Sequence, residues 1–84
     1  MNPREKLIWI LEAALKCDLL SFQEALSFAM SNYDVFFLIE NISEETKDLL
    51  QYCDSLGFLT LNGNTYRCSD ITTEAAYDQI TSPD

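Results

Sequence analysis

The side chains that could carry chemistry in this chain are carboxylates and thiols, because it contains no histidine. Without an imidazole there is no base poised near neutrality, no triad of the usual kind and no ordinary zinc ligand set. Glu44, Glu45 and Asp48 cluster by helical spacing and could in principle converge on a divalent cation. Catalytic carboxylates need partial burial to move their pKa values, and these three fall on an expected solvent face. A hydrated acidic surface is the better reading. The cysteines, Cys17, Cys53 and Cys68, form no Cys-x-x-Cys pair and sit at apolar-periodic or strand positions. They read as reduced, buried small hydrophobes, as suits a cytoplasmic protein. Gly57 and Gly63 serve as a helix stop and a turn, so no phosphate-cradling loop is left. Ser21 and Ser43 serve as helix caps, and Lys16 and Lys47 lie on exposed arcs where nothing would depress an amine pKa. This inventory points away from an enzyme, and neither a cofactor nor a metal is expected.

Charge narrows the choice of partner. Five Lys+Arg against 14 Asp+Glu give the 84 residues a formal charge of −9, which argues against a surface that collects phosphates. The hydrophobic share of 48% is that of a globular domain, so the acidity does not belong to a disordered tail. The length suits one core, expected over residues 1–80 with 81–84 as a frayed end. The longest apolar runs, Val35 to Ile39 and Leu7 to Leu11, are far shorter than a membrane span, and the charged N-terminus does not read as a signal peptide.

Local patterns place the elements. Asn2-Pro3 opens a helix running to about Cys17, with a capping residue and a proline where its missing N–H costs nothing. At 100° per residue, Leu7, Ile8, Ile10, Leu11, Ala14, Leu15 and Cys17 cover one continuous half. Ser21-Phe22-Gln23-Glu24 is a capping box for a second helix, with Phe22, Ala25, Leu26, Ala29 and Met30 facing inward and Gln23, Ser27 and Ser31 outward. Val35 to Ile39 reads as a short helix capped by Asp34 or as a strand buried on both faces, the helix being preferred. Ser43 caps a longer helix whose inward arc is Leu49, Leu50, Tyr52, Cys53 and Leu56, and Gly57 stops it. Phe58 to Leu61 and Asn64 to Cys68 then flank Asn62-Gly63, a favoured pair for a tight hairpin. A short final helix from about Thr72 to Ile80 would turn Ala75, Ala76 and Ile80 inward. The fold class is therefore α+β and mostly helical, with three to four helices, a β-hairpin and a short C-terminal helix.

Taken together, this order resembles a winged helix-turn-helix domain over roughly Arg4 to Cys68. Asp48 to Leu59 is similar to that family's passage from reading helix into wing, with Asn62-Gly63 at the wing tip and Thr65 to Cys68 as the return strand. The resemblance implies that Ser43 to Leu56 would lie in a major groove and Leu61 to Asn64 against the backbone. The outward residues of that helix, however, are Glu44, Lys47, Asp48, Gln51, Asp54 and Ser55, one cation against three anions. The wing tip has no Lys or Arg, and Arg67 is the nearby cation. Such a face would repel phosphates, so no direct DNA binding is expected.

Trp9 stands apart among the aromatics. It falls with Glu5, Glu12 and Lys16 on the polar side of a helix whose core half is already complete. Either the C-terminal helix covers it, or it anchors a partner, as tryptophan often does at the centre of an interface. The leading functional expectation is a small acidic protein–protein interaction module: an adaptor, inhibitor or regulator of a basic partner. Trp9, Glu5, Glu12, Glu44, Asp48 and Asp54 would be its contact residues, with no membrane involved. A charge mimic occupying a nucleic-acid site, after the manner of small phage inhibitors, is one variant, and a homodimer through Trp9 is another. The alternatives are a winged-helix transcriptional regulator and a structural subunit of a larger assembly.

Overall fold

Asn2 caps the first helix as its sequence dictates: its Oδ1 accepts the Glu5 N–H at 2.8 Å, and Pro3 occupies the first turn. A computed structural model describes residues 2–30, 43–63 and 65–82. They form α1 (Pro3–Lys16), α2 (Phe22–Met30), α3 (Glu44–Ser55), β1 (Leu59–Asn62), β2 (Thr65–Cys68) and α4 (Thr73–Thr81). The fold is α+β and mostly helical, with helices first, then an antiparallel hairpin, then a closing helix. The expected segment at Val35 to Ile39, with Asp34, Phe36 and Phe37, lies outside the described residues.

The core joins all these elements. Leu7, Leu11 and Ala14 of α1 meet Phe22, Ala25 and Leu26 of α2, Leu49, Leu50 and Cys53 of α3, and Ala76 and Ile80 of α4. Phe58, Leu59 and Tyr66 bring the hairpin onto the same cluster. The Phe22 and Phe58 rings sit 5.3 Å apart at a tilt of 58°, a favourable aromatic arrangement. Among the described residues, no buried side-chain polar atom lacks a hydrogen-bond partner.

Side-chain caps start the remaining helices. Ser21 accepts the Glu24 N–H, Ser43 that of Thr46 and Thr72 that of Ala75. Two helices stop by the same device. After α3, the Gly57 N–H bonds Asp54 O and the Phe58 N–H bonds Cys53 O, with Gly57 at φ +80°. After α1, the Leu19 N–H bonds Ala14 O at 2.9 Å, and the left-handed position falls on Asp18 at φ +58°. Glycine takes that conformation freely, whereas Asp bears a steric cost.

Ser21 and Thr72 form an isolated antiparallel bridge, in which the Phe22 N–H donates to Ile71 O and the Thr73 N–H to Leu20 O. Arg4 donates to Ile80 O at 3.0 Å, and the Tyr77 hydroxyl donates to Glu12 at 3.1 Å. The last helix is thereby fastened along the first.

Several positions depart from their sequence-level assignment. The hairpin pairs Asn62 with Thr65, so it turns one residue later than Asn62-Gly63 suggests, with Gly63 at φ +62°. Leu15 and Cys17 are exposed and Cys68 is half-buried, so of the three thiols expected to be buried only that of Cys53 is fully enclosed. On α2, Ser27 is buried while Ala29 is exposed, a rotation of the inward face away from the expected arc. On α4, Thr73 rather than Ala75 turns inward, held by a 2.5 Å bond from its hydroxyl to Leu19 O. Thr81, expected in the frayed end, is the last residue of α4 and bonds back to Tyr77 O.

Candidate functional site

The exposed face of α1 and α2 is where apolar surface collects. Trp9 is 65% exposed and Phe28 is 56% exposed, each standing on the outer side of its helix. Between them runs a hollow of about 300 Å3, floored by Ala13, Ala14, Ala25 and Ala29 and walled by Ile10. The four alanines matter because they leave backbone and Cβ where larger residues would fill the space. Two aromatic crests therefore flank an open apolar trough. Lys6 also lines it, its ammonium held 3.2 Å from Glu45 of α3. A second hollow of about 310 Å3, bounded by Lys6, Ile10, Ala29, Met30, Ser43, Thr46 and Leu49, continues the trough towards α3.

The α4 helix does not cover the indole. It packs along the side of α1 that carries Glu12, with Tyr77 reaching that carboxylate, and Trp9 remains open. Of the two readings of Trp9, burial under the C-terminal helix is thus excluded. Each Å2 of apolar surface left wet forgoes roughly 25 cal/mol, and an aromatic side chain offers about 150–250 Å2, so covering both crests would return on the order of 5 kcal/mol before any ordering cost.

Acidic groups border the trough on its outer slopes. Glu5 and Glu12 lie one turn to either side of Trp9, and Glu24 lies one turn before Phe28; all three are exposed. Glu5 accepts a bond from the Asn2 amide at 3.1 Å. The Glu12 bond raises the Tyr77 hydroxyl pKa, chiefly because the hydroxyl donates to that carboxylate and secondarily because of its charge. Lys16 stands two turns along from Trp9 and is the cation at that end.

Among the sequence candidates, Trp9, Glu5 and Glu12 come together on one surface. Glu44, Asp48 and Asp54 are exposed but lie on α3, away from the trough lining, and Glu44 is occupied 3.5 Å from Lys47. Sequence reasoning missed Phe28 and the alanine floor. Phe28 falls at the margin of the α2 apolar arc, and Ala13, Ala25 and Ala29 are small enough to belong equally to a core or a groove. A third hollow, of about 420 Å3, lies at Leu15, Leu19, Leu20 and the Thr72–Glu74 turn, where Leu20 is 74% exposed.

The thiols away from this face are poorly disposed to react. Burial, helped by the neighbouring Cys68, pushes Cys53 up to about 12, and burial pushes Cys68 up to about 11. Tyr66, whose hydroxyl reaches the Met30 sulfur at 3.7 Å, is likewise pushed by burial to about 12. No group of three or more His, Cys, Asp or Glu among the described residues could hold a metal ion. No helix among them is long and apolar enough to cross a membrane. No family model, curated protein or solved structure matches the chain.

Proposed function

We propose that this chain is a small acidic protein–protein interaction module, carried on a winged-helix-like arrangement that has given up the reading of DNA. The observation that carries this reading is the pair of exposed aromatics, Trp9 and Phe28, on either side of an apolar trough. Isolated apolar residues on a surface are ordinary, whereas a contiguous apolar patch with polar borders is the mark of an interface. Interfaces also concentrate their energy in a few aromatic anchors. The module acts by occupying a partner, as adaptor, inhibitor or regulator, and no catalytic role is assigned to it.

Support for a winged-helix-like order comes from the helix–hairpin succession and from the bridge between Ser21 and Thr72. Support for loss of the groove-reading role comes from α3. Its outward cation, Lys47, lies beside Glu44, while Asp48 and Asp54 are exposed and form no ion pair among the described residues. In a mobility-shift titration at about 0.15 M salt, this protein should leave duplex DNA unshifted at micromolar concentration.

The direct test places a photo-crosslinking phenylalanine analogue at Ala13, in the trough, and at Gln51, on the outward face of α3. Irradiation in the native host should give a discrete protein adduct from position 13 and none from position 51. Adducts from position 51 alone would move the interface to α3 and favour the charge-mimic variant. Absence of any protein adduct would refute the interaction reading.

A further inference from the structure

We infer that the trough between α1 and α2 receives an amphipathic helix with an apolar face and cationic flanks. This rests on the interaction reading above and names the chemistry of the partner. The walls of the trough are helices, whose backbone groups are bonded within themselves. An extended peptide laid there would find no ladder to join and would leave its own N–H and C=O groups unpaired against alanine and aromatic carbon. A helix satisfies its backbone internally and presents side chains alone, which is the requirement an apolar groove sets.

Dimensions agree with this. The trough is bounded in length by α2, whose nine residues span roughly 13 Å at 1.5 Å each. Partner side chains at i, i+3, i+4 and i+7 span about 10.5 Å along a helix axis, so three to four anchors fit between the crests. The alanine floor lets such a helix approach closely, with Trp9 and Phe28 closing over its flanks.

Charge selects the kind of helix. Glu5 and Glu12 lie beyond Trp9 and Glu24 beyond Phe28, so flanking residues on the partner would meet carboxylates on both sides. Lys6, the cation in the lining, is already held by Glu45, and the whole chain carries −9. Lysine or arginine flanks are attracted by that field, and glutamate flanks are repelled. A second copy of this chain would bring another −9 to the same contact, which disfavours self-association.

Synthetic peptides of about fourteen residues test this, each with leucine at the i, i+3, i+4 and i+7 positions. One carries lysine elsewhere, one glutamate, and one is the lysine peptide broken by two central prolines. Trp9 is the sole tryptophan, so its emission reports directly on the trough, while labelled peptides report affinity for variants. The lysine peptide should bind, shift the Trp9 emission to the blue and weaken steeply with salt. Phe28→Ser should weaken it by about thirty-fold, and Ala29→Gln, which fills the floor, by a similar factor. Circular dichroism should show both variants folded, since both positions are exposed.

Equal binding of the glutamate or proline peptide would overturn the proposal and leave the interaction reading standing. Lysine-peptide binding that survives Phe28→Ser would place the contact on acidic surface elsewhere and overturn it likewise. Concentration-dependent dimerisation with a blue-shifted Trp9 would assign the trough to a second copy. If no peptide perturbs Trp9 and neither crosslinking position captures a protein, both readings fall.

Discussion

The α1–α2 face and the α3–hairpin half are built from the same materials and finished differently. In the second, apolar side chains are put away: Leu49, Leu50, Cys53, Phe58, Leu59 and Tyr66 are buried, and what remains outside is Glu44, Asp48, Gln51 and Asp54. In the first, Trp9 and Phe28 stand in water although α1 and α2 already bury five residues between Leu7 and Leu26 besides Ala25. Even the helix stops differ, glycine after α3 and aspartate after α1. A domain of this size has little stability to give away. On the proposed reading, the surface that is costly to keep exposed is the surface that is used, while the α3 side presents charge to water.

Removing the contact that holds the two regions together should have the largest effect. Phe22 belongs to the first and Phe58 to the second, and both are essentially inaccessible. Either Phe→Ala change should cost about 3–5 kcal/mol, measured by urea unfolding, enough to leave much of the chain unfolded. A loss below about 1 kcal/mol would mean that the two regions are not joined through this pair.

Alkaline pH should weaken the α3–hairpin half. Cys53, Cys68 and Tyr66 have folded pKa values of about 12, 11 and 12, above their ordinary values of 9.0, 9.0 and 10.0. The unfolded chain therefore loses these protons first, and the stability they supply is complete below about pH 9 and falls as pH rises towards 11–12. Unfolding free energy should drop by on the order of 1 kcal/mol between pH 8.5 and 10 through Cys53, with a smaller share from Cys68 and Tyr66, where solvent screens the effect. Serine at both cysteine positions should flatten most of that slope. At pH 8, a thiol reagent should label exposed Cys17 well before Cys53 or Cys68.

The helix stops give a smaller, signed contrast. Asp18→Gly should stabilise by roughly 0.5–1 kcal/mol, because it removes a side chain from a left-handed position. Gly57→Ala should destabilise by about 1 kcal/mol for the converse reason, since open space surrounds its missing Cβ and strain alone acts. Smallest of all is the effect of Trp9→Ala on the melting of the isolated domain, expected below about 1 kcal/mol. A loss of about 3–5 kcal/mol would make Trp9 a core residue and erase the contrast between the two faces.

What could be read in the sequence followed from local chemistry. Asn2-Pro3, Ser21, Ser43 and Gly57 announce helix ends through bonds made within a few residues, and the structure places them so. Glu5, Glu12 and Lys16 mark Trp9 as an outlier on the polar side of its helix, but they leave open whether the C-terminal helix covers it. The trough was not legible. Its formation depends on how far α2 is rotated against α1, which decides that Ser27 is buried and Ala29 exposed, and alanine gives periodicity too weak a signal to fix that angle. The hairpin turns one residue later than expected because both registers keep Leu59, Leu61, Tyr66 and Cys68 on one face, so alternation along the strands does not distinguish them.

The ties between α1 and α4 bear on how the molecule is born. Arg4 bonds Ile80 across 76 positions, Glu12 meets Tyr77 across 65, and Ser21 pairs with Thr72. During synthesis, α1 emerges some 65 residues before the part of α4 that reaches its flank. Closing so long a loop costs entropy before any contact repays it. A nascent chain lacking α4 would hold an amphipathic α1 with one flank bare, beside a face that stays apolar even when folding is done. Closure of this core therefore waits for α4, and the interval before it is when α1 is most exposed to chaperones and to proteases.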